Sequence, residues 1–165
     1  MKKRIPHQSL FLISFTFLFS LFLLFPNFAE AAVRKVEETD GQTLYKSLNQ
    51  LQDSQKLSWQ IVLFKREKGD TKGKVKLRLV GFPKQTEITH PAPLILETDR
   101  AAWQAEDLFA ENSPAPNVGQ YNLSEIISEL SQNENLLLKI PDGKMTTLKV
   151  PGVIILEWKI VAGNN

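Results

Sequence analysis

The side chains that could carry chemistry are few. Beyond residue 31 the chain has a single histidine, His90, and it has no cysteine anywhere. A serine hydrolase would need His90 as its general base, yet no Gly-x-Ser-x-Gly elbow is present to supply the nucleophile. His90 also stands directly before Pro91, in a stretch that reads as an edge or turn. A metal site would need His90 joined by carboxylates, and the adjacent Glu106 and Asp107 have no second histidine or spaced acid to complete a coordination shell. On a strand, such neighbours point to opposite faces, which argues against a joined acid–base pair. The eight glycines are scattered, mostly in turns, so they build no phosphate-cradling loop. Lack of cysteine removes thiol catalysis, thiolate-bound metals and a disulfide framework together. No catalytic residue, cofactor or metal site is therefore expected, except through a tertiary convergence of Asp107, His90 and Tyr121.

Recognition has a better candidate. Ser113 to Tyr121 carries Pro114 and Pro116, which stiffen the segment toward an extended path. Asn117, Gly119, Gln120 and Tyr121 then supply amides and a ring, a reasonable recognition surface on a long loop. The alternative is a packed connection in which Gln120 and Tyr121 satisfy neighbouring backbone groups. Trp59, Trp103 and Trp158 could line a ligand cavity, against the usual burial of aromatics in a core.

The elements that must position these residues are mostly strands. Leu57, Trp59, Ile61 and Leu63 alternate with Ser58, Gln60 and Val62, Val75, Leu77 and Leu79 alternate with Lys76 and Arg78, and the Lys68–Gly73 turn between them predicts a hairpin. A second hairpin is expected from Leu136–Ile140 and Thr146–Val150 around Pro141-Asp142-Gly143-Lys144. Thr43–Gln52 and Ala101–Phe109 are both read as strands over competing helices. Pro91 and Pro93 keep Thr86–Thr98 an edge strand or irregular until Leu94. The apolar run from Val153 reads as a last strand, central at its start. Leu123, Ile126, Ile127 and Leu130 have helical spacing behind Asn122 as N-cap, so one short amphipathic helix is expected over 123–131. The predicted fold is mainly β: a single-domain antiparallel β-sandwich or partly open β-barrel with that one helix.

The N-terminus has a different character. Lys2, Lys3 and Arg4 precede Leu10–Phe25, in which only Ser and Thr interrupt Leu, Phe and Ile, and Ala29-Glu30-Ala31 follows. Positive flank, apolar run and small–any–small site in this order predict a secretory signal peptide, residues 1–31, cleaved between Ala31 and Ala32. The run is a little short for an uncleaved membrane span. The working protein is then residues 32–165, a single β-rich domain without a transmembrane segment. With no cysteine to lipidate, it is either free or held by a partner.

Removing that leader changes the charge. The 20 Lys and Arg and 18 Asp and Glu of the full chain become 17 and 17 once Lys2, Lys3, Arg4 and Glu30 are set aside. A neutral chain gives no argument for nucleic acid. Its charges are segregated, however. Seven basic residues lie between Lys65 and Arg78 against two acids, and eight acids lie between Glu97 and Glu134 against Arg100 alone. The basic hairpin could dock on anionic lipid headgroups or an acidic protein face, or keep an exposed edge soluble.

Several strings together resemble a known family. They are Ser58–Lys65, Leu77–Pro83, His90-Pro91-Ala92-Pro93-Leu94, Ala115–Leu123 and Leu156-Glu157-Trp158. They resemble a cyanobacterial family of exported proteins known only as a domain of unknown function. The resemblance implies no activity or cofactor; it implies a photosynthetic bacterium, with export to the periplasm or the thylakoid lumen. The Lys-rich turn of the first hairpin departs from that pattern.

The expected role is that of a non-catalytic accessory or protein-binding domain, held by a protein partner or membrane complex. A carrier of a small apolar ligand is the alternative, and an enzyme of unknown class the third.

Overall fold

The computed structural model describes residues 33–163, with 70 and 72 excepted. The expected leader and its Ala31–Ala32 cleavage point lie outside the described residues. The described chain is mainly β, as its alternating patterns predict. In order come β1 (Val33–Glu38), a short 3-10 turn (Thr39–Gly41), β2 (Gln42–Gln52), β3 (Ser58–Lys68), β4 (Lys76–Val80), β5 (Leu94–Glu97), β6 (Ala102–Ala105), β7 (Val118–Asn122), β8 (Leu136–Lys139), β9 (Thr147–Val150) and the helix α1 (Gly152–Gly163).

Two antiparallel sheets result. Sheet A has the order β1-β2-β3-β4-β7 and sheet B the order β6-β5-β8-β9. Both predicted hairpins form, with Ile61 opposite Leu79 in one and Leu138 opposite Leu148 in the other. Thr43–Gln52 is strand, as expected, and so is the middle of Ala101–Phe109. The chain is irregular up to Leu94, where β5 begins. After β6 it crosses toward sheet A, where Leu108 N–H donates to Gln120 O (2.7 Å) and Asn122 N–H to Glu106 O (3.0 Å). These bonds cover the open edge of β7 and join the sheets at one corner without closing a barrel.

Strand period decides the faces. Trp59, Ile61, Leu63, Leu77 and Leu79 point inward from sheet A, and Leu94, Leu96, Leu136, Leu138, Leu148 and Val150 from sheet B, forming one apolar core. Each fully buried side chain of this size contributes roughly 1.5–3 kcal/mol.

Two expected elements are corrected. The run from Val153 is not a strand but α1. It is apolar on almost every side, so a strand and a helix look alike over a few residues. Packing selects the helical period: Ile154, Ile155, Trp158 and Val161 are buried, while Val153, Leu156 and Ile160 remain exposed. Pro151 starts the helix, its carbonyl accepting from Ile154 N (2.9 Å) and Ile155 N (3.3 Å), and a proline there forfeits no helical hydrogen bond.

The predicted helix over 123–131 is instead a run of turns. Its apolar period is kept, with Leu123, Ile126, Ile127 and Leu130 all in the core. Asn122 does cap the segment, its Oδ1 accepting from Ser124 N (3.2 Å) and Oγ (2.8 Å). One i to i+4 backbone bond follows, from Ile127 N to Leu123 O, and then an i to i+3 bond from Glu129 N to Ile126 O. Serine hydroxyls compete for helical carbonyls, as Ser128 Oγ does for Glu125 O (3.2 Å), and a segment this short gains little from helix propagation.

α1 packs on the inner face of sheet A, and polar side chains fix it there. Ser47 Oγ (2.8 Å) and Asn49 Nδ2 (3.0 Å) donate to Glu157 Oε2. The buried Lys65 Nζ donates to Ala162 O (2.9 Å) and pairs with Glu67 Oε1 (2.8 Å). An ammonium at a helix C-terminus satisfies a terminal carbonyl and complements the helix dipole.

Candidate functional site

The possible catalytic groups converge in part. His90 Nδ1 lies 2.6 Å from Asp107 Oδ2, and His90 Nε2 lies 3.2 Å from Val118 O. The Asp107 side chain is almost fully buried; it also accepts from Phe109 N (2.9 Å) and Ala92 N (3.3 Å). Tyr121 is the cross-strand partner of Asp107, wholly buried, and its hydroxyl has no hydrogen-bond partner among the described residues. Burial, and after it the Asp107 charge, pushes the Tyr121 phenol well above its ordinary value. The fold thus brings His90 and Asp107 together and leaves the Tyr121 hydroxyl outside hydrogen-bond reach of both. Every polar atom of the His90–Asp107 pair named above is turned to holding segment 90–92 against segment 107–118. Glu106 is exposed, just past the end of β6.

The Ser113–Tyr121 segment divides in two. Its second half is strand β7 and its approach. Asn117 Nδ2 donates to Gly81 O (2.8 Å) while Gly81 N donates to Asn117 O (2.9 Å), which carries the β4–β7 ladder one step further. Gly119 packs under the Tyr121 ring, where a Cβ would stand 2.8 Å from the hydroxyl oxygen. Gln120 Oε1 accepts from Arg78 Nε (3.1 Å) and Nη2 (2.7 Å). The first half is exposed: Pro114 and Pro116 are open to solvent, and Pro116 and Asn117 border a cleft of about 440 Å³ against Pro83–Glu87. Of the tryptophans, Trp59 and Trp158 are core. Trp103 is half-buried, its Nε1 donating to Glu129 Oε2 (2.8 Å).

The outer face of sheet A gathers the basic residues of the first hairpin with others from β1 and β2. Register places Arg34, Lys46, Arg66, Lys68, Lys76 and Arg78 on that face, with Glu38 as its one carboxylate among the strand residues. Glu38 pairs with Arg66 (3.0 Å). The Arg78 guanidinium lies over the rings of Phe64 (5.5 Å) and Phe109 (5.7 Å), and Arg66 also lies over Phe64 (5.3 Å). Among the described residues no carboxylate pairs with Arg78, Lys76 or Lys46. Beside this group opens a cleft of about 770 Å³ lined by Leu48, Gln50, Leu57, Gln60, Val80 and Phe82. Leu48 and Phe82, 43% and 51% exposed, stand together at this cleft as an apolar patch. The parity of the basic residues was the available signal: Arg66, Lys68, Lys76 and Arg78 are all even-numbered, and a period of two puts them on one side.

The strings that resemble a family have a match of the same extent. The family model for a protein of unknown function, DUF3122, matches residues 31–161. The chain belongs to this family. No curated protein and no solved structure is significantly similar to it. DUF3122 membership accounts for nearly all of the two-sheet domain and assigns no chemistry to it. No helix among the described residues is long and apolar enough to cross a membrane.

Proposed function

We propose that this protein is an exported, non-catalytic β-domain that acts by binding a protein partner, in the periplasm or thylakoid lumen of a photosynthetic bacterium. The observation that carries this reading is the contrast between its polar groups. His90, Asp107 and Asn117 are engaged in bonds that hold the fold together. The outer face of sheet A, by contrast, presents Lys46, Lys76 and Arg78, with which no carboxylate pairs among the described residues, beside exposed Leu48 and Phe82. Apolar surface next to ordered charge is the composition of a recognition surface. The exposed Pro114 and Pro116 edge lies at one end of the same molecule, on a segment stiff enough to contribute at low entropic cost.

Export rests on the leader: positive flank, apolar run and Ala29-Glu30-Ala31. A second reading is carried by the cleft of about 770 Å³, whose apolar and amide lining suits a small amphipathic ligand. Native mass spectrometry of the protein drawn gently from its own cells separates these. A stoichiometric protein adduct on a chain that begins at Ala32 is expected. A bare chain contradicts partner binding, and a small-molecule adduct supports the second reading instead.

A further inference from the structure

We infer that the outer face of sheet A is a docking surface for an extended acidic segment of a partner protein, with Arg78 as its anchor. This rests on the protein-binding reading and names the chemistry of the partner.

Charge complementarity comes first. Among the described strand residues, six basic side chains and one acid point outward from sheet A. They stand in rows across the strands: Arg34, Lys46, Phe64 and Lys76 form one, and Leu48, Val62, Arg78 and Gln120 the next. An acidic partner is attracted to such a field, and a basic one repelled.

Arg78 is then held in a way that lysine in solution is not. Its guanidinium lies over two rings, Phe64 and Phe109, and two of its nitrogens donate to Gln120 Oε1. An oriented guanidinium whose remaining N–H groups are unspent is prepared for a carboxylate. Phe64 beneath it is buried although it lies on the outer face, because Arg66 and Arg78 cover it. A smaller cleft of about 180 Å³ opens beside these side chains, with Lys74 and Lys76 at its rim.

Spacing sets the form of the occupant. Lys76, Arg78 and Val80 follow one another on one face of β4, about 6–7 Å apart. An extended chain places alternate side chains at the same interval, so carboxylates can meet Lys76 and Arg78 while an apolar side chain enters the cleft beside Val80, Leu48 and Phe82. A protruding side chain fits a concave cleft; a flat lipid surface does not. The observations therefore favour an acidic protein segment over an anionic bilayer.

The test uses the full chain, produced in its native host, and a fluorescein-labelled Glu–Leu peptide of repeating Glu-Ser-Glu-Ser-Leu-Ser, which when extended puts carboxylates and an apolar side chain on one face; the Lys–Leu peptide has Lys in place of each Glu. Lys–Leu peptide and phosphatidylglycerol vesicles are the comparison arms. The Glu–Leu peptide is expected to bind, the Lys–Leu peptide not to bind, and the vesicles to leave the protein in the supernatant. Lys46→Glu/Lys76→Glu, which alters partly exposed side chains without ion-pair partners, should weaken peptide binding by roughly tenfold or more, as should Arg78→Gln. Circular dichroism melting checks that both variants remain folded. No difference between Glu–Leu and Lys–Leu peptides, unchanged affinity in the folded lysine variant, or preferential sedimentation with vesicles would each overturn the inference. A native partner that stays bound to the lysine variant would refute this surface while leaving partner binding itself intact.

Discussion

Arg78 and Gln120 face each other across the β4–β7 pair, and one amide oxygen receives both Nε and Nη2 of the guanidinium. This fixes an arginine on an exposed sheet face without neutralising it. Gln120 therefore acts as a positioning residue for a cation rather than as a contact in its own right. Replacing Gln120 by Glu would neutralise Arg78 from within the fold. Retained stability with loss of acidic-peptide binding is the expected outcome, read by thermal melting and fluorescence anisotropy.

The β2–β3 turn depends on one carboxylate. Asp53 Oδ1 accepts from Gln55 N (2.8 Å) and Leu57 N (2.9 Å), and Oδ2 from Trp59 Nε1 (3.1 Å). Trp59 is wholly buried, so Asp53→Ala strands its indole N–H as well as opening the turn. A loss of about 2–4 kcal/mol is expected by urea denaturation. Asp53→Asn should also destabilise, because in either amide orientation an NH2 meets at least one of the three N–H donors.

Anchoring of α1 is a separate prediction. Lys65→Met keeps the length of the stem but leaves Ala162 O and Glu67 without the ammonium. It should cost about 2–3 kcal/mol and loosen the helix end first, seen as faster amide exchange over 159–163 than over β3.

Tyr121 gives a pH dependence with a definite sign. Its phenol is raised in the folded state by burial and then by Asp107, against an ordinary value near 10. The unfolded chain therefore releases this proton first as pH rises. Stability from this group is complete below about pH 10 and falls as pH rises beyond it. Tyr121→Phe removes a buried hydroxyl that has no partner. It should be neutral or stabilising by up to about 1 kcal/mol at neutral pH and should flatten the alkaline loss. Urea midpoints at several pH values check both.

How much of this was legible in the sequence depends on which interactions are local. The hairpins were, because period-two alternation and turn residues such as Pro141-Asp142-Gly143 act over a few positions. The core stripe Leu123, Ile126, Ile127 and Leu130 was legible as burial but not as hydrogen bonding, since backbone bonds there compete with serine hydroxyls. α1 was not, because a segment apolar on almost every side carries little period of its own; Ser47, Asn49 and Lys65, distant in sequence, help define its inner side. At the candidate site, the amides of 117–121 were visible, but their partners Gly81 and Arg78 lie on another strand. That pairing turned the second half of the loop into sheet and moved attention to the basic face.

Photo-crosslinking in the native host tests the central claim most directly. Benzoylphenylalanine at Leu48, on the outer face of sheet A, is compared with the same probe at Lys149, on the outer face of sheet B. A protein adduct of one defined mass from position 48, and none from 149, is the predicted result. Adducts from neither position, or the same adducts from both, would contradict a partner-binding role for this face.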